Sequence, residues 1–194
     1  MAKLTYVTGN THKKEELEYF FKDEPSVQID IIDPGFEVLE IQAKTCADIA
    51  AFSSKYAADK LGIACLKSDS GLYIDCLGGL PGPYNAYFDK QIGTEKFLEL
   101  MKAQTNRKAR LEHCFAYCEP NQEPVIFSGG STGTIAQNAV GQSGRWHDQF
   151  YIPDGENETL SQLREKDRTY EQQFWGTALP DFAEWFKKNI VQDS

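Results

Sequence analysis

Two short blocks of this chain combine residue types that could grip and cut a chain of phosphates. The first is Thr8-Gly9-Asn10-Thr11-His12-Lys13, which follows the apolar run Leu4 to Val7 and opens a charged helix. Glycine lets a backbone approach a ligand closely, and the Thr8 and Asn10 side chains offer donors to phosphate oxygen. The following helix adds free N–H groups and a partial positive charge, with Lys13 one turn in. The second block is Ser68-Asp69-Ser70-Gly71-Leu72, trailed by Gly78-Gly79-Leu80-Pro81-Gly82-Pro83-Tyr84. Just past an apolar strand, the Asp69 carboxylate could bind magnesium or take a proton from a water attacking phosphorus. The Gly/Pro stretch after it holds the backbone in one shape.

Each block also has an ordinary reading. Thr and Asn are favoured helix caps, and a lysine in a first helical turn can simply face solvent. An aspartate between serines can cap a turn. Glu40, after Val38-Leu39, is a second candidate carboxylate, weak alone because most glutamates are solvated surface residues. The conjunction of a phosphate cradle with an acid is what points to nucleotide chemistry.

The elements that must position these blocks alternate between strand and helix, an α/β pattern. Leu4 to Val7 predicts a strand, Lys13 to Lys22 a helix, and Val27 to Ile32 a second strand ended by Asp33-Pro34-Gly35. Cys46 to Leu61 gives the clearest helix, with Ile49, Ala50, Phe52, Ala57 and Leu61 on one side and Gly62 as its stop. Ile63 to Leu66 predicts a short buried strand whose carboxyl end delivers Asp69, where ligand groups collect in open α/β sheets. Thr94 to Ala103 is predicted helical and Ala109 to Cys118 a long strand. Pro124 to Ser128 and Gly133 to Ala136 read as two strands turning at Gly129-Gly130 in a hairpin. Asp181 to Ile190 is an amphipathic closing helix. Nothing in composition marks a domain boundary.

The whole is 194 residues long, enough for one domain or one domain with two lobes. A net charge of −9 and the lack of any Lys/Arg run argue against a nucleic-acid partner, which would need a basic face. No apolar run approaches a membrane span, and Met1-Ala2-Lys3-Leu4 runs directly into the first strand, so a cytoplasmic location is expected. The five cysteines are scattered, without a Cys-x-x-Cys pair, and read as reduced, packed thiols. Cys114 and Cys118 fall on one face of their strand. Three dispersed histidines make zinc a poor candidate.

Taken together, Thr8-Gly9-Asn10-x-x-Lys13 with Glu15-Glu16, Ser68-Asp69-Ser70-Gly71-Leu72, Gly78-Gly79-Leu80-Pro81-Gly82-Pro83-Tyr84 and Asp148…Pro153-Asp154-Gly155 resemble the inosine triphosphate pyrophosphatase family. The likeness spans nearly the whole chain. It implies a long central mixed sheet flanked by helices in two lobes, with the nucleotide in a cleft between them, residues 1–194 forming one such domain. It implies hydrolysis of non-standard purine triphosphates such as ITP, dITP and XTP to monophosphate and pyrophosphate, with Mg2+ or another divalent cation such as Mn2+, usually by a homodimer. By position, Lys13 and Lys55 would hold phosphate, and Glu40 and Asp69 the metal, with Asp69 also activating water. Thr8, Gly9, Asn10, Ser70 and Gly71 would line the site.

The chain departs from the family where the base is read. The family's Gly-Phe-Gly-Tyr/Trp-Asp-Pro is Gly144-Arg145-Trp146-His147-Asp148-Gln149 here. Arg145 therefore stands where a ring would lie against the base, with His147 in the second aromatic position, unless Trp146 slips into that role. After Lys166 the family's Ser-His-Arg is missing, leaving Arg168, Gln172, Gln173 or His147 as substitute donors. Arg145, Trp146, His147, Asp148 and Lys166 are thus the expected base-side contacts. Two rival readings keep the phosphate half: a pyrophosphatase of the same fold that prefers pyrimidine or modified nucleotides, and a nucleotide-binding protein without turnover.

Overall fold

A computed structural model describes residues 2–33, 35, 39, 41–167 and 176–191. Its sheet has seven strands: β1 (Ala2–Val7), β2 (Val27–Ile32), β3 (Cys65–Ile74), β4 (Pro81–Gly82), β5 (Lys108–Cys118), β6 (Val125–Ile135) and β7 (Tyr151–Pro153). They run in the order β2-β1-β3-β5-β6-β7, with β4 paired to β3. The β1 pairings with β2 and β3 are parallel, whereas β3–β4 and β6–β7 are antiparallel, so the sheet is mixed. The helices are α1 (Thr11–Phe21), α2 (Cys46–Leu61), α3 (Asn85–Met101), α4 (Leu160–Lys166) and α5 (Ala178–Phe186). The α/β class and mixed sheet are as expected.

Two compact units share this chain. The first takes residues up to Asp69, then Cys114–Ser128 and the stretch from Thr177 onward. Its core packs Val7 of β1 with Ala57 and Ala58 of α2, Cys65 of β3 and Cys118 of β5. Phe182 and Phe186 of α5 bury against Tyr117, adding aromatic contacts. The second unit takes Ser70–His113 and Gly129–Gly176. There Leu72, Ile74, Phe97, Leu111, Ile135 and Phe150 are buried together. Each such apolar side chain contributes about 1.5–3 kcal/mol on leaving water.

Local signals explain the helix ends. The Thr45 hydroxyl caps α2 by accepting from Asp48 N at 3.1 Å, and Gly62 ends it with a φ of 69°. α3 begins at Asn85, well before the expected Thr94, and passes through a non-helical Gly93 (φ 67°). The periodic apolar signal marks only its second half.

Two strand expectations are corrected. Asp69 lies inside β3, which continues to Ile74, rather than at the end of a short strand. The continuation has a partner: Leu72 pairs with Gly82 and Tyr73 with Pro81 of β4. The Gly/Pro stretch therefore serves as the strand's mate, its shape fixed by Gly78, Gly79 and Gly82, all at positive φ that other residues rarely adopt. Likewise Gly129-Gly130 is no hairpin turn, because β6 runs unbroken from Val125 to Ile135. A Cβ at position 130 would lie 1.9 Å from the Leu111 carbonyl oxygen, so glycine is required by a close backbone approach. Positions 133 and 144 are similarly closed, by the Ile152 carbonyl at 2.3 Å and the Asp148 carboxylate at 2.1 Å.

Candidate active site

Within the first unit, the turn between β1 and α1 is built by its own side chains. The Thr8 hydroxyl accepts from Asn10 N at 3.1 Å, and Asn10 caps α1 by accepting from Lys13 N at 3.3 Å. The capping function and the ligand reading therefore coexist on these residues. At Gly9 a Cβ would meet nothing within 4 Å beyond its own chain neighbours. The fold itself does not demand glycine there, and the open space suits a ligand.

From the first turn of α1, Lys13 reaches β3 and donates through Nζ to the Ser68 carbonyl at 2.6 Å. The Ser68 hydroxyl shares a 2.5 Å hydrogen bond with the buried Tyr6 hydroxyl. Asp69 follows directly, half-buried, with Oδ2 enclosed. Lys13 and Asp69 are thus brought to one segment of β3. Lys55 is on α2, its ammonium paired with the Glu123 carboxylate beyond β5. That partner raises the lysine's pKa above its ordinary value, against the opposing effect of burial. Glu40 lies outside the described residues. Among the described residues, no three His, Cys, Asp or Glu side chains cluster as a metal cage. Hard carboxylate oxygens in small number are what magnesium takes, the rest of its shell coming from substrate and water.

In the second unit, Ser70 is half-buried and Gly71 buried on β3. The Asn85 side chain, first in α3, donates to the Ser70 carbonyl at 3.4 Å. The expected base-side residues Trp146, His147 and Asp148 lie together in one turn. That turn is 3-10 helical and buried. Trp146 packs its ring on Phe97 and Phe150 at 5.2 and 5.0 Å. Asp148 is fully enclosed: one oxygen lies 2.8 Å from His147 Nδ1, the other 2.6 Å from Arg164 and 2.9 Å from the Arg145 N–H that donates to it. Burial alone would push this carboxyl up, but His147, Arg164 and Arg145 outweigh it and hold it far below the usual carboxylate range. Trp146, His147 and Asp148 therefore set the loop's shape. Arg145 is half-buried, while Lys166 is exposed and paired with Glu158. Arg168, Gln172 and Gln173 lie outside the described residues.

Sequence reasoning missed Tyr6, Ser68 as a carrier of Lys13, and Asn85. Tyr6 reads as one more core aromatic, and nothing in sequence brings it to Ser68, 62 positions away.

The sequence profile of the Ham1 family matches residues 4–185. The dITP/XTP pyrophosphatase of Methanopyrus kandleri is 35% identical over 189 residues, covering 97% of this chain and 98% of its own. That of Thermococcus kodakarensis is 34% identical over 190 residues, covering 97% and 99%. Among solved structures, a HAM1 protein from Coxiella burnetii superposes with a TM-score of 0.80 at 21% identity, covering 97% of this chain and all of that one (100%), a likeness of fold.

Proposed function

The chain belongs to the Ham1 family, and from that premise we propose that it is a nucleoside-triphosphate pyrophosphatase acting on non-standard purines such as dITP, XTP and ITP. The observation that carries the reading is the Lys13 ammonium set on the Ser68 carbonyl, one residue from Asp69, in a chain similar over its length to dITP/XTP pyrophosphatases. A cation for phosphate oxygen, reaching over from α1, and a carboxylate for the attacking water then meet at one segment of β3.

The work required is mostly positioning and charge neutralisation. The Thr8–Asn10 turn and the N-terminus of α1 receive the phosphates, and Lys13 neutralises part of their charge. Lys55 adds to this by exchanging Glu123 for a phosphate oxygen; exposed ion pairs are weak and screened, so the exchange costs little. Asp69 accepts the proton of the water whose oxygen attacks the α-phosphorus. The bond from that phosphorus to the bridging oxygen breaks, and pyrophosphate departs with the electron pair. Asp69 and Glu40 would hold Mg2+, which supplies neutralisation of charge developing on the phosphate oxygens.

A broadened base preference is favoured by a specific observation. Trp146 and His147 are buried, so neither is free to replace the ring that Arg145 has displaced. Arginine can stack on a base face, but it does so without the hydrogen bonds that separate an oxo from an amino group. We also take the enzyme to be a cytoplasmic homodimer. Its five free cysteines fit a reducing compartment, and the exposed Tyr87 and Leu100 are apolar side chains that a second copy could cover. Light scattering on the purified protein tests the dimer. The activity is tested by pyrophosphate release across standard and deaminated nucleotides, with magnesium and with chelator. Release from none of them overturns the proposal.

A further inference from the structure

We infer that Tyr6 and Ser68 are positioning residues that fix the Lys13 ammonium before any phosphate arrives, an inference that rests on the phosphate role proposed for Lys13. Ser68 is held from two directions. Its hydroxyl is bonded to the Tyr6 hydroxyl at 2.5 Å, and its carbonyl receives the Lys13 ammonium at 2.6 Å. Tyr6 is a rigid anchor: it is 1% exposed, and its backbone pairs with Leu66 of β3. Its phenol therefore reaches the residue just before Asp69 from a fixed base.

Phenylalanine would fill almost the same volume in the core at this place. A buried hydroxyl is unfavourable unless hydrogen-bonded, and here the bond goes to the residue that seats Lys13. A lysine ammonium carries three N–H donors. One is committed to Ser68, leaving two to meet phosphate oxygens. A side chain held this way loses less rotamer freedom on binding, which is the general advantage of preorganisation. Losing the Tyr6 hydroxyl frees the Ser68 side chain and loosens the stretch of β3 whose main-chain carbonyl seats Lys13. Affinity for any polyphosphate then falls, whatever base it carries.

The test is a double-substitution cycle on the full chain with magnesium present, combining Tyr6→Phe with Lys13→Ala. Steady-state pyrophosphate release is measured together with calorimetric binding of inorganic pyrophosphate. Tyr6→Phe should raise KM and the pyrophosphate Kd by about 3- to 10-fold, the scale of one net hydrogen bond, with kcat nearly unchanged. In the Lys13→Ala background it should do nothing further, because the residue it acts through is gone. Ser68→Ala should behave like Tyr6→Phe, and Ser68→Thr, which keeps the hydroxyl, should restore binding. Equal effects of Tyr6→Phe with and without Lys13, or a fall in kcat at constant KM, would overturn the inference. Should Tyr6→Phe not fold, the Ser68 pair gives the same reading. If no triphosphate is hydrolysed, the functional proposal fails and the cycle is judged on pyrophosphate binding; if pyrophosphate is not bound either, the positioning inference fails too.

Discussion

The Lys55 ammonium is ion-paired with the Glu123 carboxylate, 68 positions further along the chain. A cation proposed to bind phosphate is therefore engaged by an internal anion when no substrate is present. Glu123→Ala should free it and lower KM by up to about twofold, the effect expected of a weak exposed pair. Lys55→Ala should raise KM about tenfold, the scale of a charged hydrogen bond, by the same factor for every base. Steady-state kinetics on two nucleotides decide it. A Glu123→Ala variant that loses activity would show the pair to be structural.

Asp69→Asn keeps the side chain's shape and removes its charge. Pyrophosphate release should fall by at least about a hundredfold, as expected for a general base or metal ligand, with the melting temperature little changed. Near-normal turnover in this variant would remove Asp69 from the chemistry.

Base discrimination should be modest. The preference for inosine or xanthosine triphosphate over adenosine or guanosine triphosphate should stay below about a hundredfold, equivalent to roughly 2.7 kcal/mol. The four kcat/KM values measure it directly. A much larger preference would mean that other residues have rebuilt the base pocket.

Asp148 should matter to stability rather than to substrate contact. Asp148→Asn breaks a buried arrangement with Arg164 and His147 and should cost about 3 kcal/mol, visible as a lower melting temperature. In the wild type the folded carboxyl titrates far below an unfolded aspartate, whose pKa is about 3.9. The carboxylate's contribution is thus complete above that value and is lost progressively as the pH falls below it toward the folded pKa. Thermal melts from pH 7 to pH 3 check this, the variant lacking the acid-dependent part. A variant that melts normally yet binds nucleotide poorly would return Asp148 to the substrate side.

How much could be read in advance follows from the range of the signals. Local chemistry was legible: the α2 helix from Cys46 to Leu61 with its Gly62 stop is present as expected, because cap and periodicity are written within one segment. Lys13 and Asp69 were legible as candidates from their flanking residues. What failed depended on partners distant in sequence. Asp69 was expected at a strand end because the mate that prolongs β3, Pro81-Gly82, looks like a loop. Gly129-Gly130 suggested a turn because the Leu111 carbonyl that requires a bare backbone lies on another strand. The burial of Trp146 was likewise hidden, since the Phe97 ring it packs on lies on a distant helix.

The closed approaches at Gly130, Gly133 and Gly144, to two backbone carbonyls and one side-chain carboxylate, bear on any map of mutational tolerance made for this chain. A methyl group at these positions would collide with a carbonyl or a carboxylate at 1.9 to 2.3 Å. They should score as forbidden as the reacting residues themselves, and for a reason unrelated to reaction. Lys13 and Asp69 touch no such barrier; substitutions there should leave abundance intact and silence only turnover. A functional site drawn from intolerance alone would be pulled toward these close approaches, so a screen must read protein level and activity separately to find the chemistry.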